Sequence, residues 1–233
     1  MNGTLYAVGV GPGEPELLTL KAVQAIKDAH VVAVPKGYAE KDSVAQLIIE
    51  HYTEGKEILE LVFPMTDSRE ELMESWSEAA EKVGSLLKSG KNVVFATLGD
   101  PSLYSTFNYL KSTLQQHFAE DFTIKIIPGI NSFSAAASLL QLPLVEGSQN
   151  MAVVSTPQNT SRLKDILALF DTVVLLKVHR YYEQIMECLS ELGMENNGYF
   201  VSRCGSSEEY YSQDLKALAG KKLDYLSMLI IKK

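Results

Sequence analysis

The stretch YAVGVGPGEPELLTLKA, residues 6–22, decides how the chain is read. A short apolar run ends in Gly9, Gly11 and Gly13, with Pro12 among them, and Pro15 opens a stretch with helical spacing. Glycine-rich turns between a strand and a helix commonly cradle a phosphate on backbone N–H groups. The dinucleotide fingerprint is G-x-G-x-x-G, and here the third glycine comes one residue early, at Gly13. Pro12 has no N–H to donate. Glu14 and Glu16 put negative charge where an anion would sit, and Glu16 suits the positive end of a helix. No Gly-Lys-Ser/Thr follows, so the Walker pattern is absent as well. Two readings survive. One is a strand-to-helix turn with nothing bound. The other is close backbone approach to a bulky ligand that is uncharged or cationic.

Outward from this turn, strand-like runs alternate with helix-like ones. TLYAVGV (4–10) reads as a strand and PELLTLKAVQAIKDA (15–29) as a helix; HVVAVP (30–35) is a strand and SVAQLIIEHY (43–52) a helix. EILELVF (57–63), the long amphipathic helix 67–90, KNVVFATLGDP (91–101) and the helix 105–118 continue the series. A second series runs from FTIKIIPGI (122–130) through the helices 132–142, 162–170 and 180–193 to a closing strand in LDYLSMLIIKK (223–233). Such alternation predicts parallel or mixed sheets flanked by helices. Polar residues gather in QHFAEDF (116–122) before a new apolar run. The expected organisation is therefore two α/β lobes, 1–118 and 119–233.

The chain has 233 residues, a formal charge of -8 and 46% hydrophobic residues, enough for a sizeable core. The acidic balance disfavours nucleic acid as a partner, because phosphate contacts need clustered Lys and Arg. Cys188 and Cys204 form no disulfide framework, which points to a reducing compartment. His30, His51, His117 and His179 lack metal-ligand spacing, so no metal site is expected. Neither a leader peptide nor an apolar run long enough for a bilayer stands out. The expectation is a cytoplasmic protein without a membrane partner.

Three further turns follow strand-like runs: ATLGDPSLYST (96–106), IPGINSFSAAA (127–137) and LLKVHRYY (175–182). In open α/β sheets ligands bind beyond the carboxyl ends of strands, so these turns suggest one shared site. Asp100 offers acceptors to a ligand hydroxyl or ammonium, or else caps a helix beginning near Ser102. Gly129 and the small residues 134–137 allow tight helix packing or admit a flat ligand.

Taken together, VGVGPGEPELLTLKA, GDPSLYST, IPGINSFSAAA and the later strand-end segments resemble the S-adenosylmethionine-dependent tetrapyrrole methylases of corrin and siroheme biosynthesis. They occur in the family's order over nearly the whole chain. Within that family the chain is most similar to enzymes that methylate carbon 20 of precorrin-2 or cobalt-factor II; GDPSLYSTFNYL, PGINSFSAAAS with the LPL after it, and VPKG (34–37) carry this. Glu14 departs from the Asp usual after GPG. The resemblance implies two α/β lobes with the cofactor in the cleft between them, a tetrapyrrole methylase fold rather than a Rossmann fold, and a homodimer. By position it implies cofactor contacts at Pro12, Leu98, Gly99, Asp100, Leu103, Tyr104, Asn131, Ser132, Leu176 or Lys177, and Cys204. S-adenosylmethionine would be the methyl donor and S-adenosylhomocysteine the product.

Methyl transfer from a sulfonium is an in-line displacement, and the electron-rich meso carbon needs no strong base to begin it. Tyr104 is the candidate for assisting the later loss of a proton, against a role as a cleft-wall aromatic. A substrate with many carboxylates needs a local cationic rim; Lys36, Lys177, His179, Arg180 and Arg203 lie at or just past strand ends. The alternatives are another ring position, a siroheme or diphthamide type of substrate, or a non-catalytic S-adenosylmethionine-binding module. A nicotinamide dehydrogenase is disfavoured by the first loop.

Overall fold

Two five-stranded sheets organise the chain. The computed structural model describes residues 1–37, 43–118, 122–157 and 159–233. These divide into two units, Met1–Asn131 and Ser132–Lys233.

In the first unit the strands are β1 (Thr4–Gly9), β2 (Val31–Lys36), β3 (Glu57–Val62), β4 (Val93–Thr97) and β5 (Thr123–Ile127), in the order β3-β2-β4-β1-β5. Every pairing is parallel. The helices are α1 (Leu20–Asp28), α2 (Val44–Ile49), α3 (Arg69–Lys88) and α4 (Phe107–His117). Parallel strands are buried on both faces, and the period of two decides which residue goes where. Leu5, Ala7, Val31, Ala33, Val93 and Phe95 face a core with Val83 and Leu87 of α3 and Phe107 and Leu110 of α4. Their chain neighbours Val8, Val32, Val34, Val94 and Ala96 face a second core with Ala22 and Ile26 of α1 and Ile48 and Ile49 of α2. The chain therefore leaves β1 toward one face and β4 toward the other. These two strands are neighbours, so their carboxyl ends flank the crevice where such sheets bind ligands.

The second unit has β6 (Met151–Ser155), β7 (Thr172–Leu176), β8 (Gly198–Ser202), β9 (Tyr210–Ser212) and β10 (Ser227–Lys232), in the order β6-β7-β10-β8-β9. Only β6 and β7 run parallel. Helices α6 (Thr160–Leu169) and α7 (Tyr182–Glu191) cover one face, packed on Val173, Leu175, Phe200, Leu229 and Ile231. Helix α5 (Ser132–Leu139) places Ala136 on the other, against Val174, Val201, Met228 and Ile230.

The α/β class and the alternation hold, with three differences of detail. The division falls after Asn131 rather than at 118/119, because β5 hydrogen-bonds to β1 and completes the first sheet. Residues 119–121 of the polar stretch lie outside the described residues. The helix expected over 15–29 is a 3-10 turn (Pro15–Leu17) followed by α1, whose first turn is capped where Thr19 Oγ1 accepts from Ala22 N at 3.1 Å. Strand β9 carries no alternating pattern and escapes a reading by period.

Candidate functional site

Three turns meet at the carboxyl ends of β4, β1 and β5 in the first unit. After β1, Val10 N donates to Thr97 O at 2.9 Å, and the chain turns at Gly11, where φ is 79°. Gly11 and Gly99 then form an antiparallel bridge: Gly99 N donates to Gly11 O at 2.8 Å and Gly11 N to Gly99 O at 3.4 Å. Main chain packs on main chain here. A Cβ at Gly9 would lie 2.5 Å from Gly129 N and from Gly99 O, and one at Gly129 would lie 2.1 Å from Gly99 O. Neither distance is tolerable for a real side chain, so both positions require glycine for space alone.

Asp100 fastens the arrangement. It is 8% exposed. Its Oδ2 accepts from Gly129 N at 2.9 Å, and its Oδ1 accepts from Ser102 N at 2.8 Å and from the Ser102 hydroxyl. Burial by itself would raise its pKa, but the Ser102 hydroxyl and the N–H groups of Ser102 and Gly129 outweigh that and hold the carboxyl below its usual range. Asp100 is thus ionised at neutral pH. The expectation that it caps a helix is corrected: α4 starts at Phe107, and its entry is organised by Ser105, whose Oγ accepts from Phe107 N at 3.1 Å and lies 2.9 Å from Thr97 Oγ1.

The other first-unit candidates fall around these turns. Pro12 is buried beside Gly11, and Leu98, half-buried, packs on the core under α1. Leu103 N donates to Asp100 O at 3.3 Å. Tyr104 is about half exposed, with φ 50°. Asn131 is the last residue of this unit. Lys36 lies at the end of β2, the strand next to β4, and is paired with Glu60 of β3 at 3.0 Å.

The second unit gathers its candidates at one sheet end. Ser132 opens α5. Leu176 ends β7, and its carbonyl accepts from Thr156 N at 3.0 Å and Thr156 Oγ1 at 2.8 Å. Lys177 and Arg203 follow β7 and β8, and both are left-handed, with φ 59° and 50°. Non-glycine residues persist there only when their surroundings hold them. The segment before β10 does so, since Lys177 N donates to Ser227 O and Arg203 N to Leu226 O, each at 2.9 Å. Asp224 anchors that segment, with Oδ1 accepting from Leu226 N at 2.7 Å and Oδ2 from Arg203 Nη1 at 2.8 Å. Arg203 Nε also lies 2.8 Å from Glu208 Oε2. Lys177 Nζ sits 5.4 Å from the centre of the Tyr225 ring, and His179 meets the same ring edge-on at 5.3 Å. Desolvation, then Arg180, pushes His179 below its usual pKa, so it is neutral at pH 7. Arg180 is exposed, and Cys204 is buried in the core beneath α5. Asp224 and Tyr225 escaped the sequence reading; the only signal was the Asp-x-x-Ser spacing of 224–227, a pattern that favours local turns.

Phosphate chemistry fits these turns poorly. The N–H groups of Gly11 and Gly99 are spent on each other, and α1 begins only at Leu20, so it does not open directly out of the turn after β1. Among the described residues of these turns the buried carboxylate is that of Asp100, and Glu14 and Glu16, further along the turn after β1, are exposed. Glycine-lined main chain with negative charge suits a bulky cationic or neutral ligand. Among the described residues no group of three or more His, Cys, Asp and Glu is placed to hold a metal ion.

Compared with known proteins, residues 4–219 match the family model described as Tetrapyrrole (Corrin/Porphyrin) Methylases. The chain belongs to the tetrapyrrole methylases. The family resemblance seen in the glycine and proline turns is thereby borne out. This tetrapyrrole methylase is 35% identical to a protein of Methanocaldococcus jannaschii named "Probable cobalt-precorrin-2 C(20)-methyltransferase", over 98% of this chain and 96% of that one. It is 31% identical to the cobalt-precorrin-2 C(20)-methyltransferase of Salmonella typhimurium, over 100% of this chain and 98% of that one. Among solved structures, a uroporphyrin-III C-methyl transferase from Thermus thermophilus, complexed with S-adenyl homocysteine, shares the fold with a TM-score of 0.70. That likeness has 23% identity and covers 99% of this chain and 98% of the other.

Proposed function

We propose that this tetrapyrrole methylase transfers a methyl group from S-adenosylmethionine to carbon 20, a meso bridge, of precorrin-2 or its cobalt-bound form in cobalamin biosynthesis. One observation carries the reading: end-to-end similarity, at 31% and 35% identity, to two proteins named for that reaction. The local geometry supports it, because the turns after β1, β4 and β5 suit a folded, positively charged ligand and not a phosphate.

Bound S-adenosylmethionine supplies a methyl group on a positive sulfonium; the carbon–sulfur bond breaks with its electron pair going to sulfur, which leaves S-adenosylhomocysteine. The new bond would form at carbon 20, and the proton there would pass to water or to a carboxylate of the substrate. The chain's part is to bind and orient. Correct placement is worth up to ~7–11 kcal/mol in ideal intramolecular cases. In this reading the main chain at Pro12, Leu98, Gly99 and Leu103, with Asn131, holds the donor, and the Asp100 carboxylate favours its positive charge. The resemblance adds Ser132, Leu176, Lys177 and Cys204 to the proposed contacts. Tyr104, half exposed on a strained backbone, is the proposed assisting group for proton loss.

Substrate carboxylates are proposed to be met by Lys36, His179, Arg180 and Arg203. Lys36 and Arg203 already face Glu60 and Asp224, so a substrate carboxylate must compete with those partners. A homodimer in the cytoplasm completes the proposal, and among the described residues no helix is long and apolar enough to cross a membrane.

The assay incubates the protein with S-adenosylmethionine and either metal-free or cobalt-bound precorrin-2. Mass spectrometry should show the gain of one methyl, and NMR of a labelled methyl should place it on the meso bridge. A methyl on a pyrrole carbon would refute the position, and no product from either macrocycle would refute the activity.

A further inference from the structure

We propose that Asp100 is a positioning residue, which closes the turns after β4 and β5 over the end of β1 and shapes the donor's bed through the main chain rather than by touching the donor. The inference rests on the reading of these turns as the S-adenosylmethionine site.

Sheet order carries it. Strands β4 and β5 are not neighbours, because β1 lies between them. No ladder hydrogen bond can therefore join their ends directly. The Asp100 carboxylate makes that connection, taking Gly129 N on one oxygen while the Ser102 N–H and hydroxyl hold the other. The path crosses directly above β1, and only glycine at 9 leaves room for it. Three of the carboxylate's acceptor positions are thereby filled from within the protein, and the group is almost entirely buried. Bonds to an ionised acceptor are the strong ones, so the clasp holds two otherwise independent turns in register. Its depressed pKa keeps the carboxyl ionised, and the clasp closed, at neutral pH.

The test uses the full chain with S-adenosylhomocysteine as the probe, and the variants Asp100→Ala, Asp100→Asn and Ser102→Ala. Two quantities are read for each: exchange of the Gly129 amide without ligand, and affinity by calorimetric titration. Loss of a charged hydrogen bond corresponds to about ten- to a hundredfold, which is the expected gain in Gly129 exchange and loss of affinity for Asp100→Ala. Asp100→Asn keeps one acceptor oxygen and should fall between it and the wild type. Ser102→Ala should change both quantities by less than about fivefold, since the Ser102 N–H remains. In turnover, KM for S-adenosylmethionine should rise while KM for the macrocycle holds, a split that a general loss of structure would not produce. Affinity lost with Gly129 still protected means direct contact and overturns the inference. Gly129 protection lost with affinity intact overturns it equally. If Asp100→Ala does not fold, the other two variants decide by the same pair of readings. A wild type that binds no S-adenosylhomocysteine refutes the donor reading itself, and this inference with it, a result distinct from both others.

Discussion

Replacing Gly129 by alanine builds a methyl group 2.1 Å from the Gly99 carbonyl oxygen and 2.8 Å from main-chain atoms of Gly9. Overpacked cores usually lose ~1–3 kcal/mol, because side chains can shift aside. Here the colliding atoms are backbone on both sides, pinned by the Gly11–Gly99 bridge and the bond from Gly129 N to Asp100. The turn after β5 must move, and the bond to the ionised acceptor, worth ~1.5–3 kcal/mol, weakens with it. Neighbouring effects do not add fully, so the expected total is ~3–5 kcal/mol. At ~2–4 °C per kcal/mol for a chain of this size, the melting temperature should fall by roughly 10 °C. Gly55→Ala is the control: φ there is 73°, but nothing lies within 4 Å of the added carbon, so only backbone strain of about 1 kcal/mol is expected. Scanning calorimetry of the two variants compares a steric with a conformational cost. A Gly129→Ala protein melting as high as Gly55→Ala would refute the close approach of the three turns.

Three other outcomes follow from the same structure. His179 has a depressed pKa, so between that value and its ordinary 6.5 the unfolded chain binds more protons than the folded one. Stability should therefore fall as pH drops below 6.5, and His179→Gln should flatten that slope in melts taken at several pH values. Tyr182→Phe removes the hydroxyl that donates to Leu215 O at 2.9 Å in the core under α7; that carbonyl keeps the Leu218 N–H at 3.1 Å, so the cost by denaturant titration should be only that of one hydrogen bond, about 0.5–1.5 kcal/mol. Asp224→Ala frees the segment before β10 and takes away one of the two carboxylates paired with the Arg203 side chain; amide exchange at Leu226, whose N–H donates to Asp224, should quicken while β1–β5 amides stay unchanged.

Much of the fold was legible because burial on both faces writes long apolar runs. VVAVP and NVVFAT read as strands of a parallel or mixed sheet, and Val31 and Val32 point to opposite cores as the period of two requires. The Gly-Pro turns were equally readable, since residues that supply positive φ or remove an N–H have few other uses. Three things were not legible. The membership of β5 in the first sheet depends on pairing with β1 across a long separation, which no local pattern encodes. The partner of Asp100 is a backbone N–H twenty-nine positions away, and a main-chain donor leaves no mark in the side-chain sequence. The local alternatives, a cap or a ligand acceptor, both missed it. The carboxylates facing Lys36 and Arg203 are likewise set by tertiary placement, on the neighbouring strand β3 and in the segment before β10.

The most direct measurement is an amide NMR titration of the labelled protein with S-adenosylhomocysteine, run beside an identical one with NAD. The account predicts that the largest shifts of the first unit fall on residues 9–13, 98–104 and 128–131, and that NAD leaves these amides in place. Shifts scattered away from the three turns, or the same amides answering to NAD and not to the sulfur ligand, would contradict it.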